Sequence, residues 1–553
     1  LKETALNMGP GHRVIFPQYA RGRDGIEIEE GATLWDHAWK LGIQIHSLCG
    51  GHGECGKCVV RVDRGSESLS ETTQAERDRS LAEDERLACQ AKVISGDRDI
   101  YVFIKAAGEY TILTESTEGR VPLDPFIYRK GDRVFLEGRP GVSLGRYEGE
   151  LLGLAVDVGT TTLVAQLVDV ESGEVIVTLA RKNPQAAYGD DVISRIAYTD
   201  QHQDGLARLQ RVVVEAVNAM LRDSEENAGR NLGDHIYEAV VVGNPTMRNL
   251  FFGQSVHSLG TSPYEPEDKS PINERAQDLD LLIHPEANVY GAPLVGGQVG
   301  ADLLGVILAC DLHQGQKPCL AVDIGTNGEV AIGNSDRILA ASNAAGGAFE
   351  GATVSCGIGA IQGAVKNIWI KDGRIRYETI GERAPVGICG SGLIDLLAEM
   401  LREGIIDDRG RLSEPFRETN EFIIVQDGGR IAISQRDIYE LRLAKGGAAL
   451  NQKTLMRRYG VDLAGLDRIC LAGGFGNYVN LESAVALGVL PGGKDKLTKI
   501  GNGALTGARQ ILLCRKRRED AERIAPCIEH VKLSEEEDFL DRYIQELYLR
   551  RWS

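Results

Sequence analysis

Cys49, Cys55 and Cys58 stand on one glycine-rich stretch, Cys49-Gly-Gly-His-Gly-Glu-Cys55-Gly-Lys-Cys58, and Cys89 follows after thirty intervening residues. Three thiolates on a loop and a fourth from a distant strand is the ligand supply of a [2Fe–2S] cluster. Structural zinc stays open as the alternative, although it usually draws on two short Cys pairs and only one is present here. A disulfide would suit an oxidising compartment, which the sparse cysteines elsewhere do not indicate. The glycines between the cysteines let the backbone wrap closely and aim N–H groups at sulfur. His46 and His52 raise a Rieske centre of two His and two Cys. Four cysteines already fill the ligand set, so both histidines read as neighbours of the site or as surface residues. The other seven cysteines, Cys310, Cys319, Cys356, Cys389, Cys470, Cys514 and Cys527, are scattered singly among apolar neighbours and read as reduced, core-filling thiols.

A second chemistry comes from a repeat. Leu154-Ala-Val-Asp157-Val-Gly159-Thr160-Thr161 returns 166 residues later as Leu320-Ala-Val-Asp323-Ile-Gly325-Thr326-Asn327, with six of eight positions identical. Each copy is an apolar strand ending in Asp, a Gly-Thr turn, and another apolar strand. Such a turn offers backbone N–H groups and hydroxyls to a phosphate, beside a carboxylate able to hold hydrated Mg²⁺. Downstream, Ile469-Cys-Leu-Ala-Gly473-Gly474-Phe475-Gly476 is a buried-type strand entering a glycine turn against which a flat base could lie. Gly296–Asp302 and Gly501–Ala508 each open an apolar helix with small residues, the composition that two closely crossing helices need. No G-x4-G-K-[ST] loop occurs, so the Walker class is disfavoured.

The elements that must carry the cysteines follow from period and capping. Arg13–Phe16 and Gly25–Glu29 read as a hairpin, Thr33–Leu41 as a helix behind an N-cap Thr, and Cys58–Val62, Leu87–Val93 and Ile100–Ile104 as strands, the last closing the sheet. Val240–Met247 reads as a buried strand ending in a polar turn, and Gly387–Asp395 as a helix entry able to meet an anion. The stretches 71–86 and 515–537 carry both signs of charge and read as solvated helix faces.

Composition bounds the rest. The 553 residues are 42% apolar and 26% charged, so disorder and fibrous classes are excluded. A net charge of −18 disfavours nucleic acid as a partner. No apolar run reaches the ~20 residues of a membrane helix. The first residues lack a signal-peptide core and an initiator Met, so a cytoplasmic chain with a trimmed N-terminus is expected.

Residues 12–107 resemble the ferredoxins with adrenodoxin-like cysteine spacing, a β-grasp fold. From 151 onward, the order of phosphate loop, small-residue helix, phosphate loop, glycine turn and small-residue helix resembles the actin, heat-shock-chaperone and sugar-kinase ATPases, an α/β fold of two duplicated halves. That resemblance implies ATP with Mg²⁺ between Asp157, Gly159, Thr160, Thr161 and Thr162 on one side and Asp323, Gly325, Thr326 and Asn327 on the other. Gly473, Gly474 and Phe475 would border the adenosine, and Glu350 and Asp395 are candidate bases for hydrolysis. The expected division is a cluster domain at 1–107, a linker or reduced middle domain at 108–150, and an ATPase domain at 151–553 with halves near 151–310 and 311–553.

Taken whole, with Asn183–Ile196 and Ala472–Gly476 as further marks, the chain resembles the reductive activators of corrinoid proteins. Those proteins return cobalt from inactive Co(II) to Co(I) in methyltransferase systems while ATP is hydrolysed. The resemblance implies an anaerobic setting, Cys49, Cys55, Cys58 and Cys89 as cluster ligands, Asp157 and Asp323 as catalytic carboxylates, a corrinoid protein as partner and an unidentified low-potential electron donor. It also raises a homodimer, although the forty or so residues at 108–150 are short for the dimerising domain that family members often carry there. Rival readings are an ATP-driven reductase of another low-potential metalloenzyme and a redox-sensing ATP-binding protein that reduces nothing.

Overall fold

The structure is a computed structural model and describes residues 12–17, 25–41, 43, 45, 51, 53, 56, 58–79, 81–82, 84–104, 121–137, 143–189, 191–325, 327–343, 347–351, 353–371, 373–426, 430–473 and 479–552. The chain divides into two compact units, 1–109 with 186–190, and 110–185 with 191–553. No helix among the described residues is long and apolar enough to cross a membrane.

In the first unit, strands β1 (Arg13–Ile15), β2 (Gly25–Glu27), β3 (Val59–Arg64), β4 (Glu85–Leu87) and β5 (Ile100–Ile104) form one sheet in the order β2-β1-β5-β3-β4. β5 therefore lies in the middle of the sheet, parallel to β1, rather than closing its edge. The helix Leu34–Lys40 starts at a reciprocal cap, in which the Asp36 N–H donates to Thr33 Oγ1 and the Thr33 N–H to Asp36 Oδ2. Its apolar face, Leu34 and Ala38, packs with Val14, Phe16, Val60, Leu87, Ile100 and Val102.

Two expectations need correction here. The strand expected over Leu87–Val93 stops at Leu87, because the Gln90 and Ala91 N–H groups both turn back to the Leu87 carbonyl. The described part of the stretch 71–86 is largely solvated, as expected, but its helix is only Gln74–Arg77 and two of its charges are buried. Glu76 and Arg86 pair at 2.9 Å with side chains only 1% and 8% exposed, and Glu76 also accepts from the Leu87 N–H.

The second unit begins with a meander, β6 (Ile127–Lys130), β7 (Arg133–Leu136) and β8 (Ser143–Arg146), whose Ile127, Val134, Leu136 and Leu144 enter the unit's core. A six-stranded sheet follows from β9 (Leu152–Val158), β10 (Thr162–Asp169), β11 (Val175–Lys182), β12 (Ile236–Gly243), β13 (Ile272–Arg275) and β14 (Asn288–Gly291), in the order β11-β10-β9-β12-β14-β13. A second six-stranded sheet is built from β15 (Cys319–Ile324), β16 (Gly328–Gly333), β17 (Ile338–Asn343), β23 (Arg468–Ala472), β24 (Leu497–Gly501) and β25 (Glu529–His530), in the order β24-β23-β15-β16-β17-β25. Between β17 and β23, β18 (Ala364–Lys371), β19 (Arg374–Thr379) and β20 (Gly387–Ile388) form a small sheet, and β21 (Glu421–Val425) and β22 (Ile431–Ser434) a hairpin.

The two large sheets share a plan. Three antiparallel strands (β9–β11, β15–β17) meet two parallel ones (β12 and β14, β23 and β24) at the first strand of the triplet. Such central strands are covered on both faces, which is why β9 and β15 read as near-continuous apolar runs. The helices Ala301–Ala309 and Gly503–Leu513 cross at Gly305 and Gly507. A Cβ on Gly507 would come within 2.3 Å of the Gly305 Cα, so the backbones touch and only glycine fits.

The helix Arg515–Ile524, expected as a solvated face, buries Arg518 and Asp520. Arg518 pairs with buried Glu238 at 2.8 Å, and its guanidinium lies between the Phe126 and Tyr290 rings, 3.9 and 4.2 Å from their centroids. One side chain thus fastens the segment before β6 to β12 and β14 of the first large sheet. Arg518→Leu strands a buried carboxylate and is expected to cost about 3–5 kcal/mol in denaturant unfolding. Arg518→Lys is expected to recover only part of this, since an ammonium cannot stack between two rings; full recovery would show that charge alone matters.

Candidate functional site

In the first unit, Cys58 ends the glycine-rich stretch at the start of β3, and Cys89 sits in the turn after β4. The Ala88 N–H donates to the Cys58 carbonyl, which draws the two positions together, and their Sγ atoms lie 3.2 Å apart, both buried. The Cys89 sulfur is held down at about 6 by the Cys58 thiol, then by the Gln90 side chain and the Gly53 and Cys89 N–H groups. Donors converging on a buried sulfur stabilise thiolate, the form that binds iron. The two thiols, with the donors converging on the Cys89 sulfur, therefore fit a thiolate-ligated cluster. Cys49 and Cys55 lie outside the described residues.

The second site grows from the duplicated hairpins. Asp157 lies near the end of β9, opposite Val164 of β10 and Val242 of β12. Asp323 holds the corresponding place on β15, opposite Glu329 of β16 and Ala472 of β23. Both turns are tied across their mouths, by the Gly159 N–H to the Thr162 carbonyl and the Gly325 N–H to the Asn327 carbonyl. They differ in length: four residues separate Val158 from its partner Leu163, but three separate Ile324 from Gly328. A Cβ on Gly325 would meet nothing closer than the Asn327 carbonyl at 3.7 Å and Glu350 Oε1 at 3.8 Å, so the second turn keeps open space beside it.

Asp157 is pushed up to about 7 by burial and by the Asp302 charge, against a hydrogen bond from Asn502 Nδ2 at 2.9 Å. Asp302, in the first turn of the helix Ala301–Ala309, is pushed up to about 6 by burial, against N–H donors of Leu303 and of its own backbone. Asp323 rises to about 8 through burial and the charges of Asp157, Asp302 and Glu350. Glu329, directly across from Asp323 and buried, is also pushed well above the ordinary carboxyl range, by burial and by the charges of Asp302 and Asp323. Asp157, Asp302 and Asp323 are each partly open to solvent. Acids from two hairpins and a helix start therefore converge where water is scarce and like charge is close, the setting a divalent cation relieves.

The loop residues divide. Thr161 Oγ1 donates to Glu350 Oε2 at 3.4 Å, linking the first turn to the loop after β17. Thr160 is buried; its Oγ1 accepts from Asn244 and its carbonyl from Arg195 at 2.6 Å. Thr162 opens β10. Gly473 has φ +96°, and a Cβ there would fall 2.6 Å from Asp323 Oδ1. Thr326, Gly474 and Phe475 lie outside the described residues. Asp395 is not at this site: it is buried on the helix Gly390–Arg402 and held by Ser483 at 2.7 Å and Asn367 at 3.2 Å.

Sequence reasoning missed Asn502, Asp302 and Glu329 as members of the acid cluster. Asn502 is an N-cap, its Oδ1 accepting from the Leu505 N–H, so helix-start chemistry was its one signal. It also missed that Asn183 and Arg195 brace the first turn, Asn183 donating to the Gly159 carbonyl at 2.9 Å.

Comparison with known proteins agrees with this division. Residues 21–93 match the 2Fe-2S iron-sulfur cluster binding domain, 152–315 the RACo middle region, and 317–552 the C-terminal domain of RACo, the ASKHA domain. The corrinoid activation enzyme RamQ of Eubacterium limosum is 30% identical over 96% of this chain and 98% of its own. The [Co(II) methylated amine-specific corrinoid protein] reductase of Methanosarcina barkeri is 28% identical over 72% of this chain and 77% of its own. A solved structure titled a reductive activator for corrinoid, iron-sulfur protein superposes with a TM-score of 0.72 at 30% identity, covering 97% of this chain and 98% of that one.

Fold and site thus define an iron–sulfur ferredoxin fused to an α/β ATPase of duplicated halves. Within that class, the chain belongs to the ATP-dependent reductive activators of corrinoid proteins.

The raised carboxylates set a stability signature. An acid whose folded value lies above its unfolded one keeps a proton that the unfolded chain releases, so stability falls as pH rises through that window. For Asp323 the window runs from the ordinary 3.8 to about 8. Asp323→Asn is expected to raise the thermal midpoint of the nucleotide-free protein, and by more at pH 8 than at pH 5. An equal or smaller gain at pH 8 would contradict the raised value.

Proposed function

We propose that this chain reactivates a corrinoid protein by passing one electron at a time from its N-terminal [2Fe–2S] cluster to Co(II), giving Co(I), with ATP binding and hydrolysis coupled to the transfer. What supports this reading is that the likeness to corrinoid activators runs through both units: the thiol site and the paired hairpins fall within one continuous matched length of chain rather than in separate resemblances.

The division of labour follows from the residues. Cys49, Cys55, Cys58 and Cys89 would hold the cluster, which supplies single electrons when bound. Gln90 and the Gly53 N–H keep the Cys89 sulfur anionic and oriented. Asp157 and Asp323 would hold Mg²⁺ on the nucleotide, and Asn502 fixes the Asp157 carboxylate by its hydrogen bond. Gly159, Thr160, Thr161, Thr162, Gly325, Thr326 and Asn327 would border the phosphates, and Gly473, Gly474 and Phe475 the adenosine. Glu350, reached by Thr161, is the carboxylate best placed to order a water for hydrolysis. The proposed division is a cluster domain over 1–107, a connecting segment over 108–150, and the ATPase halves over 151–310 and 311–553.

Driving an electron uphill by about 100 mV costs roughly 2.3 kcal/mol. Nucleotide can offset this only by favouring one conformation or complex over another. The corrinoid belongs to the partner protein. A separate low-potential donor must refill the cluster, and the reading places the chain in the cytoplasm, with a homodimer as its assembly.

The test is anaerobic. Dithionite-reduced protein is mixed with a Co(II) corrinoid protein while the Co(I) absorption band is followed. Co(I) is expected to form with Mg–ATP, and Asp323→Asn to slow it roughly 100-fold. Cys89→Ser is expected to abolish Co(I) formation while ATP hydrolysis persists. Cobalt reduction indifferent to nucleotide, or none in any condition, would overturn the reading.

A further inference from the structure

Three cysteines far apart in sequence, Cys310, Cys319 and Cys470, come together in the second unit. Their sulfurs all lie within 4.8 Å of one another, with Cys319 and Cys470 at 3.8 Å, and each residue is at most 5% exposed. They are not disulfide-bonded. Sequence reading treated them as isolated core fillers, but the fold assembles them from a helix end and two strands. Cys310 caps the C-terminus of the helix Ala301–Ala309, Cys319 opens β15, and Cys470 lies midway along β23, parallel to β15.

We infer that these three thiols form a buried three-sulfur site for a soft cation, with Cu(I) as the ion the geometry favours. Metal–sulfur bonds of about 2.3 Å in a trigonal plane require sulfurs about 4.0 Å apart, close to the spacing found. Soft thiolate ligands select Cu(I) and zinc among physiological metals. Structural zinc takes four ligands, and among the described residues no fourth His, Cys, Asp or Glu joins this group. Three sulfurs in an enclosed pocket therefore suit the ion content with three.

A cationic side chain stands beside the three sulfurs. Arg468 lies on β23 beside the group, its guanidinium donating to the Cys310 carbonyl, and its buried Nε has no hydrogen-bond partner. Binding is written simply: three Cys–SH and Cu⁺ give [Cu(S-Cys)₃]²⁻ and three protons released to solvent, with no change of oxidation state and with the Arg468 guanidinium beside the anion.

The position gives the site a consequence. The helix that Cys310 caps begins next to Asp302, β15 runs from Cys319 to Asp323, and β23 runs from Cys470 towards Gly473. A cation here would fasten together the three elements that deliver Asp302, Asp323 and Gly473 to the acid cluster.

The test uses the full-length, cluster-loaded protein under anaerobic conditions, titrated with Cu(I) against a chromogenic Cu(I) chelator. One equivalent per chain is expected to bind with no loss of iron. The copper X-ray absorption edge should report three sulfur neighbours at about 2.3 Å. Cys319→Ser is expected to weaken Cu(I) binding by at least about 100-fold, whereas Cys527→Ser, at an exposed cysteine, should leave it unchanged. Should Cys319→Ser fail to fold, the absorption measurement on unmutated protein decides alone. No uptake, uptake that displaces iron, a shell containing oxygen or nitrogen, or zinc bound in preference to Cu(I) would each overturn the proposal. Because the readout is copper and not cobalt, it stands or falls separately from the corrinoid reading.

Discussion

The second unit is organised around a repulsion. Asp157, Asp302, Asp323 and Glu329 are brought by two hairpins and one helix start into a space where burial already disfavours charge, and the charges of Asp302, Asp157 and Asp323 make ionisation harder still for neighbouring acids. A folded chain tolerates such a concentration only by holding protons or by binding a cation. A cation bridging acids from both hairpins would exchange their mutual repulsion for shared attraction. Nucleotide state then acts on the relation between the two sheets, which is the lever an ATP-coupled reductase needs.

Duplication supplies the frame and small departures from it supply the asymmetry. Both large sheets place an Asp beside a parallel neighbour, at the same point in the same strand order. Yet the second turn is one residue shorter, and Glu329 faces Asp323 where Val164 faces Asp157. The second hairpin therefore carries a second buried acid, while Asp323 is made the harder of the two aspartates to ionise by burial and by the charges of Asp157, Asp302 and Glu350. The glycine-on-glycine crossing of Ala301–Ala309 and Gly503–Leu513 sets Asp302 and Asn502, one at each helix start, against this centre. A wider crossing would move both.

Much of this was legible in the sequence because it is local. The Cys spacing, the repeated Asp-x-Gly-Thr hairpin and the small-residue helix openings each declare a turn or a contact within a few residues. What was not legible depends on distant partners. Leu87–Val93 alternates like a strand, but the chain turns after Leu87 and carries Cys89 to Cys58, a demand that no local pattern states. Glu76 with Arg86, and Arg518 with Glu238, read as surface charges because their partners are ten and 280 residues away. Asp395 stood at an attractive helix entry, yet Ser483 and Asn367 claim it from other elements. The trio of Cys310, Cys319 and Cys470 was invisible for the same reason, since each member sits alone in its own segment.

The central claim is that the converging carboxylates hold protons until a cation–nucleotide complex arrives. Calorimetric titration of the protein with a preformed complex of Mg²⁺ and a non-hydrolysable ATP analogue, near pH 7 in buffers of different ionisation enthalpy, tests it most directly. The account predicts net proton release on binding, reduced in Asp323→Asn. Binding heats that do not depend on the buffer, or proton uptake, would contradict it.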